Sequence, residues 1–290
     1  MSKEQKSTII LMTTALIWGV GFVAQTAAMN YMDAFTFNAV RFILGGLALT
    51  PVFLSMEKGL TRSTIKAGLA GGSIVFIAAS LQQFGIAFTG VAGKAGFITG
   101  LYIVLVPILG MFVGRKTTRF VWAGAVMATI GLYFISAPQG LAEMDIGSIL
   151  LIVGAFCWAL HILVVDRFVN DIKPLGFSAV QCLTCGVLSL FAAFIFDDIQ
   201  VANIVAGYIP VIYAGLISAC IAYTLQIIGQ KHVPPGKSAI ILSIETVVAA
   251  VAEAIILGVF LTSQEYFGGG LIFAGIIISQ FRAHRSKIPS

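Results

Sequence analysis

The sequence predicts an all-α integral membrane protein, with ten transmembrane helices in two inverted five-helix repeats, 1–138 and 139–290. Three observations lead there. The 290 residues are 59% hydrophobic and only 10% charged, where an ordinary soluble domain carries roughly 25% charged residues. The apolar residues fall in ten continuous runs, each close to the roughly 20 residues that a helix needs to cross the hydrocarbon core. The chain also repeats itself. Trp18, Asn30, Phe37, Ala39 and Val40 return 140 residues later as Trp158, Asn170, Phe177, Ala179 and Val180. Further on the spacing drifts by three or four, so that Gln83, Gly93-Lys94, Gly124 and Gly131 match Gln226, Gly236-Lys237, Gly268 and Gly275. Five spans per half is an odd number, so the second half sits upside down relative to the first.

The first span, Ser7–Ala28, follows Lys3 and Lys6 and so imitates a secretory signal. It is longer than a signal core and its tryptophan recurs in the sixth span, which makes it a retained helix. Thr36–Ser55 and Ile65–Phe88 come next, then Ala92–Val113, where Pro107 is expected to introduce a kink, and Phe120–Ser136. The second half contributes Gly147–Val165, Leu175–Phe196, Tyr208–Gly229, Ser238–Phe260 and Tyr266–Phe281, with Pro234-Pro235 shaping the turn before the ninth span. Continuous apolar runs without period-two alternation mean helices, not barrel strands.

Charge sets the direction. Fifteen of the seventeen Lys and Arg residues lie at the chain ends or in the even-numbered loops. The opposite loops hold Asp33, Glu143, Asp145, Asp197, Asp198 and Glu265 with almost no positive charge, and the Asp197-Asp198 pair reads as solvated. By the positive-inside rule both termini are cytoplasmic. The net charge of +5 therefore reports topology and forms no stripe for nucleic acid. Lys94 and Arg41 are the two exceptions, near the outer ends of their spans, where either side chain has a snorkelling alternative. The four cysteines all fall inside spans, and Cys182-x-x-Cys185 lacks the second pair or histidine of a metal site, so it reads as buried small residues.

Inverted halves with a site at their interface mark secondary transporters. The mid-span Trp-Gly of the first helix, the Phe97–Pro107 stretch FITGLYIVLVP and the five-plus-five repeat resemble the drug/metabolite transporter superfamily, and within it the EamA-like ten-helix family. The resemblance covers essentially the whole chain. It implies an inner-membrane carrier for amino acids, related metabolites or drugs, often outward, through a central cavity between the halves, with no cofactor. Many relatives place a proline after the acid of the ninth span and a glutamate at that span's outer end; Thr246 and Val259 stand there, and Arg115 at the matching end of the first half. The first span also has no acid to carry the proton-exchange chemistry of the small four-helix members.

Ionisable groups inside a span are expensive and usually face a cavity or a partner. Glu245 is a candidate to bind an amine or carry a proton, against a plain interhelical hydrogen bond. Glu253 lies among alanines suited to tight packing. His161 shares a face with Trp158 and is either a proton relay or a structural bond. Asn38 and Arg41 share a face of the second span and are placed to meet an anionic group. Trp18 and Trp158 lie mid-span, away from the interfacial belts, which points to lining a cavity. Gln82 or Gln83, with Thr99, Tyr102 and Gln226, completes the expected substrate-binding set. Aromatic walls with a few polar groups suit amino acids or amphipathic metabolites better than sugar phosphates.

An embedded enzyme would need convergent chemistry, and the chain has no H-E-x-x-H, D-x-x-D or G-x-S-x-G. A channel would repeat its filter through an oligomer, whereas this repeat is internal. Import of a small metabolite remains the alternative to export. No helical face is marked for obligate assembly, so a homodimer stays open.

Overall fold

The computed structural model describes residues 1–57, 59–90, 92–136, 145–257 and 262–281. These residues form α1 (Lys3–Ala28), α2 (Ala34–Glu57), α3 (Arg62–Thr89), α4 (Ala92–Gly100), α5 (Tyr102–Phe112), α6 (Arg119–Ser136), α7 (Ile146–Phe168) and α8 (Pro174–Phe196). After a short α9 (Val201–Ala206), a run made of α10 (Tyr208–Ile212), a π-helical stretch and α11 (Tyr223–Gln230) leads to α12 (Pro235–Leu242), α13 (Ile244–Leu257) and α14 (Ser263–Gln280). Among the described residues eight helices or coaxial runs are long and apolar enough to cross a membrane, and shorter apolar helices lie within α6 and α14. Where the described residues reach, the expected spans agree with these helices to within a few residues; the expected end of the ninth span at Phe260 lies outside the described residues. Glu143, Val259 and the basic residues after 281 fall outside the description, as do the side chains of Lys94 and Glu265.

Local chemistry explains the ends. Ser2 and Gln5 form a reciprocal capping box at the start of α1. Thr61 caps α3, whose far end closes on Gly90 at φ 64, a left-handed conformation that glycine adopts without strain. Asp145 caps α7 through the Ser148 amide at 2.7 Å.

The antiparallel pair α2 and α8 is capped reciprocally. Asp197, just past α8, accepts from the Thr36 amide at 2.6 Å and the Thr36 hydroxyl at 2.8 Å. At the other end Glu57 accepts from the Leu175 and Gly176 amides at 3.0 and 2.8 Å. Each carboxylate therefore sits on the positive end of the partner helix. Asp197, expected to be solvated, is instead a tertiary cap; Asp198 is the exposed member of the pair. Asp197→Ala is expected to cost about 1–2 kcal/mol of stability. Asp198→Ala serves as the near-neutral control, and melting of the purified protein in detergent reads the difference.

Between helices in a bilayer there is no hydrophobic drive, so close packing of small residues takes over. A Cβ on Gly131 would lie 2.5 Å from the Gly268 carbonyl oxygen, and one on Gly124 equally close to that of Gly275, which lets α6 and α14 touch backbone to backbone.

Two spans are broken. Between α4 and α5 the Leu101 amide turns back to Ile98 at 3.2 Å, and between α12 and α13 the Thr246 amide bonds Ser243 at 3.1 Å. Pro107, where a kink was expected, lies inside α5, six residues beyond the break at Leu101. The break at Ser243 has no proline in the equivalent place. Gly100 weakens the first ladder, and the Ser243 hydroxyl, bonded to the Ile240 carbonyl at 2.7 Å, competes with the second. A third irregularity, the π-helical stretch Tyr213–Ala222, widens its span beside the same central region.

Candidate functional site

The two breaks meet in the middle of the bundle. Tyr102 is the first residue of α5 and Glu245 the second of α13, and the Tyr102 hydroxyl donates to Glu245 Oε1 at 2.9 Å. The carboxylate lies in the first turn of its half-helix, where the peptide dipoles favour negative charge. Beside it the Thr246 hydroxyl donates to the Gly96 carbonyl at 3.2 Å, tying α13 to α4.

Around this point lies a narrow central cavity of about 50 Å³. Eight of the expected residues line it: Trp18, Arg41, Gln82, Thr99, Tyr102, Trp158, Gln226 and Glu245. The indole Nε1 of Trp158 donates to Gln82 Oε1 at 2.8 Å, and Gln82 Nε2 donates to Gln25 Oε1 at 3.0 Å. This chain spans α7, α3 and α1 and holds the Trp158 ring against the cavity. Trp18 packs edge-on to Tyr223 with ring centres 5.0 Å apart. Thr99 Oγ1 and Gln226 Oε1 are buried with no hydrogen-bond partner among the described residues.

Arg41 is 4% exposed. Its guanidinium carbon lies 4.9 and 4.7 Å from the ring centres of Phe37 and Phe42, which offer their electron-rich faces. Its Nε donates to Asn38 Oδ1 at 3.0 Å, which orients the group toward the cavity. Among the described residues no carboxylate pairs with it. Arg41 therefore does not snorkel toward the surface but stays buried against the cavity.

Three expected residues stand behind the wall. Asn38 is buried beneath Arg41. Gln83 donates to the Gln25 carbonyl at 3.1 Å. His161 is fully buried, bonded through Nε2 to Gln181 Oε1 at 2.7 Å, with its ring 6.0 Å from those of Trp158 and Tyr223. Glu253 is partly exposed and outside the lining. The cysteines are free, and Cys182 and Cys185 are buried in α8. Among the described residues no three His, Cys, Asp or Glu side chains gather as a metal site.

The lining also includes Phe22, Gln25, Phe42, Ser218 and Tyr223, which were not expected. A signal for three of them existed: Phe22 and Gln25 follow Trp18 at four and seven residues, one helical stripe. Tyr223 precedes Gln226 by three in the same way.

Toward the end of the bundle that carries Lys3, ion pairs cross between distant segments. Lys237 Nζ lies 3.1 Å from Glu4 Oε1, and Arg115 lies 2.6 Å from Asp166. Lys173 adds bonds to the Glu57 and Gly59 carbonyls.

An aromatic-walled, mostly apolar cavity with a few polar groups at the junction of broken apolar helices is what a membrane transporter needs, and comparison with known proteins agrees. The sequence model of the EamA-like transporter family matches twice, over residues 5–137 and 145–281. The chain belongs to that family. It is 30% identical over 275 residues to an uncharacterized transporter of Archaeoglobus fulgidus, covering 94% of this chain and 85% of the relative. It is 28% identical to the threonine/homoserine exporter RhtA of Escherichia coli, over 76% of this chain and 82% of RhtA. The uncharacterized inner membrane transporter YedA of Escherichia coli is 21% identical, over 91% of this chain and 87% of YedA. A solved crystal structure shares the fold with a TM-score of 0.80 at 19% identity, covering 97% of this chain and 98% of that one.

Proposed function

We propose that the chain is a secondary transporter, not an enzyme or a channel, that exports amino acids or closely related small metabolites across the inner membrane by alternating access. In this reading ten spans form two inverted repeats, 1–138 and 139–290, and both termini are cytoplasmic. Repeat-related contacts support the inversion. Gly46 abuts Leu183 as Gly186 abuts Ile43, and Gly124 meets the Gly275 carbonyl as Gly131 meets that of Gly268. The double match to one family model supports it as well.

The observation that carries the cargo assignment is a guanidinium that pairs with no carboxylate among the described residues and faces the same buried cavity as a carboxylate. Arg41 takes the carboxylate of an amino acid and Glu245 its ammonium group. Trp18, Trp158 and Phe22 hold the apolar body, and Gln25, Gln82, Thr99, Tyr102 and Gln226 supply hydrogen bonds. Asn38 orients Arg41; Gln83 and His161 act from behind, through Gln25 and Trp158. The name of RhtA supports amino-acid cargo and the outward direction.

Metabolite profiling of cells and medium tests this, comparing a null strain with strains expressing the intact protein or Trp18→Ala. An amino acid or close relative is expected to build up outside only with the intact protein, and Trp18→Ala at equal membrane abundance is expected to lose most of that signal. Medium components gathering inside the cells would reverse the direction, and non-saturable flux in reconstituted vesicles would sink the carrier reading.

A further inference from the structure

A second, larger pocket opens at the end of the bundle where Lys237 meets Glu4. It measures about 490 Å³, in the range of small-molecule sites, whereas the central cavity at about 50 Å³ has room for a few waters only. Three segments build it: the turn after α5 around Arg115 and Lys116, the end of α7 from Asp166 to Asn170, and the turn from Gln230 to Lys237 that joins α11 to α12.

The two pockets are neighbours along two helices. On α7, Ile162 lines the central cavity, and Asp166, one turn further on, lines the second pocket. On α11, Gln226 and Gln230 do the same. Between them runs a hydrogen bond from Gln230 Nε2 to the Ile162 carbonyl at 3.0 Å.

The lining offers partners for both charges of an amino acid. Arg115, Lys116, Lys231 and Lys237 stand against one carboxylate, Asp166. Arg115 is held by Asp166 and Lys237 by Glu4. Lys116 and Lys231 are exposed, and among the described residues no carboxylate pairs with either. Gln230 is 2% exposed, and its Oε1 has no hydrogen-bond partner among the described residues. A buried acceptor is normally satisfied. An ammonium group, all donors, would satisfy it better than the acceptor oxygens of a phosphate.

We propose that this pocket is a loading site for the amino-acid end of the cargo, one helical turn short of the central cavity. Lys116 and Lys231 take the carboxylate, and Gln230 Oε1 takes the ammonium group. The proposal rests on the transporter reading above, which puts the pocket on the cytoplasmic side. Release of the Gln230–Ile162 bond then joins the two pockets.

Because the group recognised is common to amino acids, L-alanine serves as the probe and propionate as its amine-free control. A chain with its four cysteines replaced by alanine and carrying Asn170→Cys, at the pocket's exposed edge, is purified in detergent and labelled with a charged methanethiosulfonate. L-Alanine is expected to slow labelling, with half-protection at about a tenfold lower concentration than propionate. Gln230→Leu should make the two equal, and Lys116→Gln with Lys231→Gln should raise both concentrations about tenfold. Protection by L-alanine should survive Arg41→Met, which disables the central cavity. Absence of protection overturns the proposal, as does protection that disappears with Arg41→Met or inorganic phosphate protecting at lower concentration than L-alanine. Flux in reconstituted vesicles keeps the two readings apart. Saturable amino-acid flux without protection overturns the loading site alone, whereas protection without flux of any amino acid overturns the transport reading and leaves the site.

Discussion

Glu245→Gln is expected to lower substrate flux at least about tenfold while leaving the amount of protein in the membrane unchanged, because a hydrogen bond to a charged group is worth roughly 1.5–3 kcal/mol. Glutamine keeps the shape of the side chain and an oxygen to accept from Tyr102, which now sits 2.9 Å away. What it removes is the negative charge at the head of α13, and with it the partner for an ammonium group. Tyr102→Phe takes away the donor but not the charge, so its loss should be smaller, a few-fold. The double variant should be no worse than Glu245→Gln, since the phenol acts through the carboxylate. Initial rates in vesicles at saturating and limiting substrate separate these cases. Full flux in Glu245→Gln would remove the carboxylate from the mechanism and leave it as a tie between α5 and α13.

Arg41→Met should raise KM by about 10–100-fold, again the worth of a charge-assisted bond. Arg41→Lys should fall between, because an ammonium lacks the planar fork that grips a carboxylate at two points. A purely structural arginine makes the opposite prediction for the empty protein. Arg41 is buried beside two phenylalanines and Asn38 with no counter-ion among the described residues, so an apolar replacement should leave the melting temperature of the substrate-free protein unchanged or higher. Loss of stability together with unchanged KM would show that the guanidinium holds the helix and not the cargo.

The helices were legible because their signal is local. A run such as Ser7–Ala28 announces itself by length and hydropathy, and the observed α1 starts only four residues earlier, at Lys3. Trp18, Trp158 and Glu245 were legible because mid-span polar and aromatic side chains are costly unless they face something. Other features were not. Gln82 and Gln83 are adjacent, so composition cannot choose between them; the rotation of α3 puts the first on Trp158 and the second on the Gln25 backbone. His161 looked as exposed to a cavity as Trp158, three residues away, yet it turns into the α8 side and bonds Gln181. Asp197 looked solvated because its partner, Thr36, lies 161 residues away in sequence.

The sequence by itself determined an all-helical membrane chain of the EamA-like family and the kinds of side chain available to a site, since run length, composition and internal repetition need no neighbour to be read. Only the tertiary structure decided which polar groups share the cavity and where the spans break. Both depend on the rotation of each helix against its partners and on where two half-helices meet, as Tyr102 and Glu245 do. Rotation and meeting point are set by close packing between segments more than a hundred residues apart, which no local pattern records.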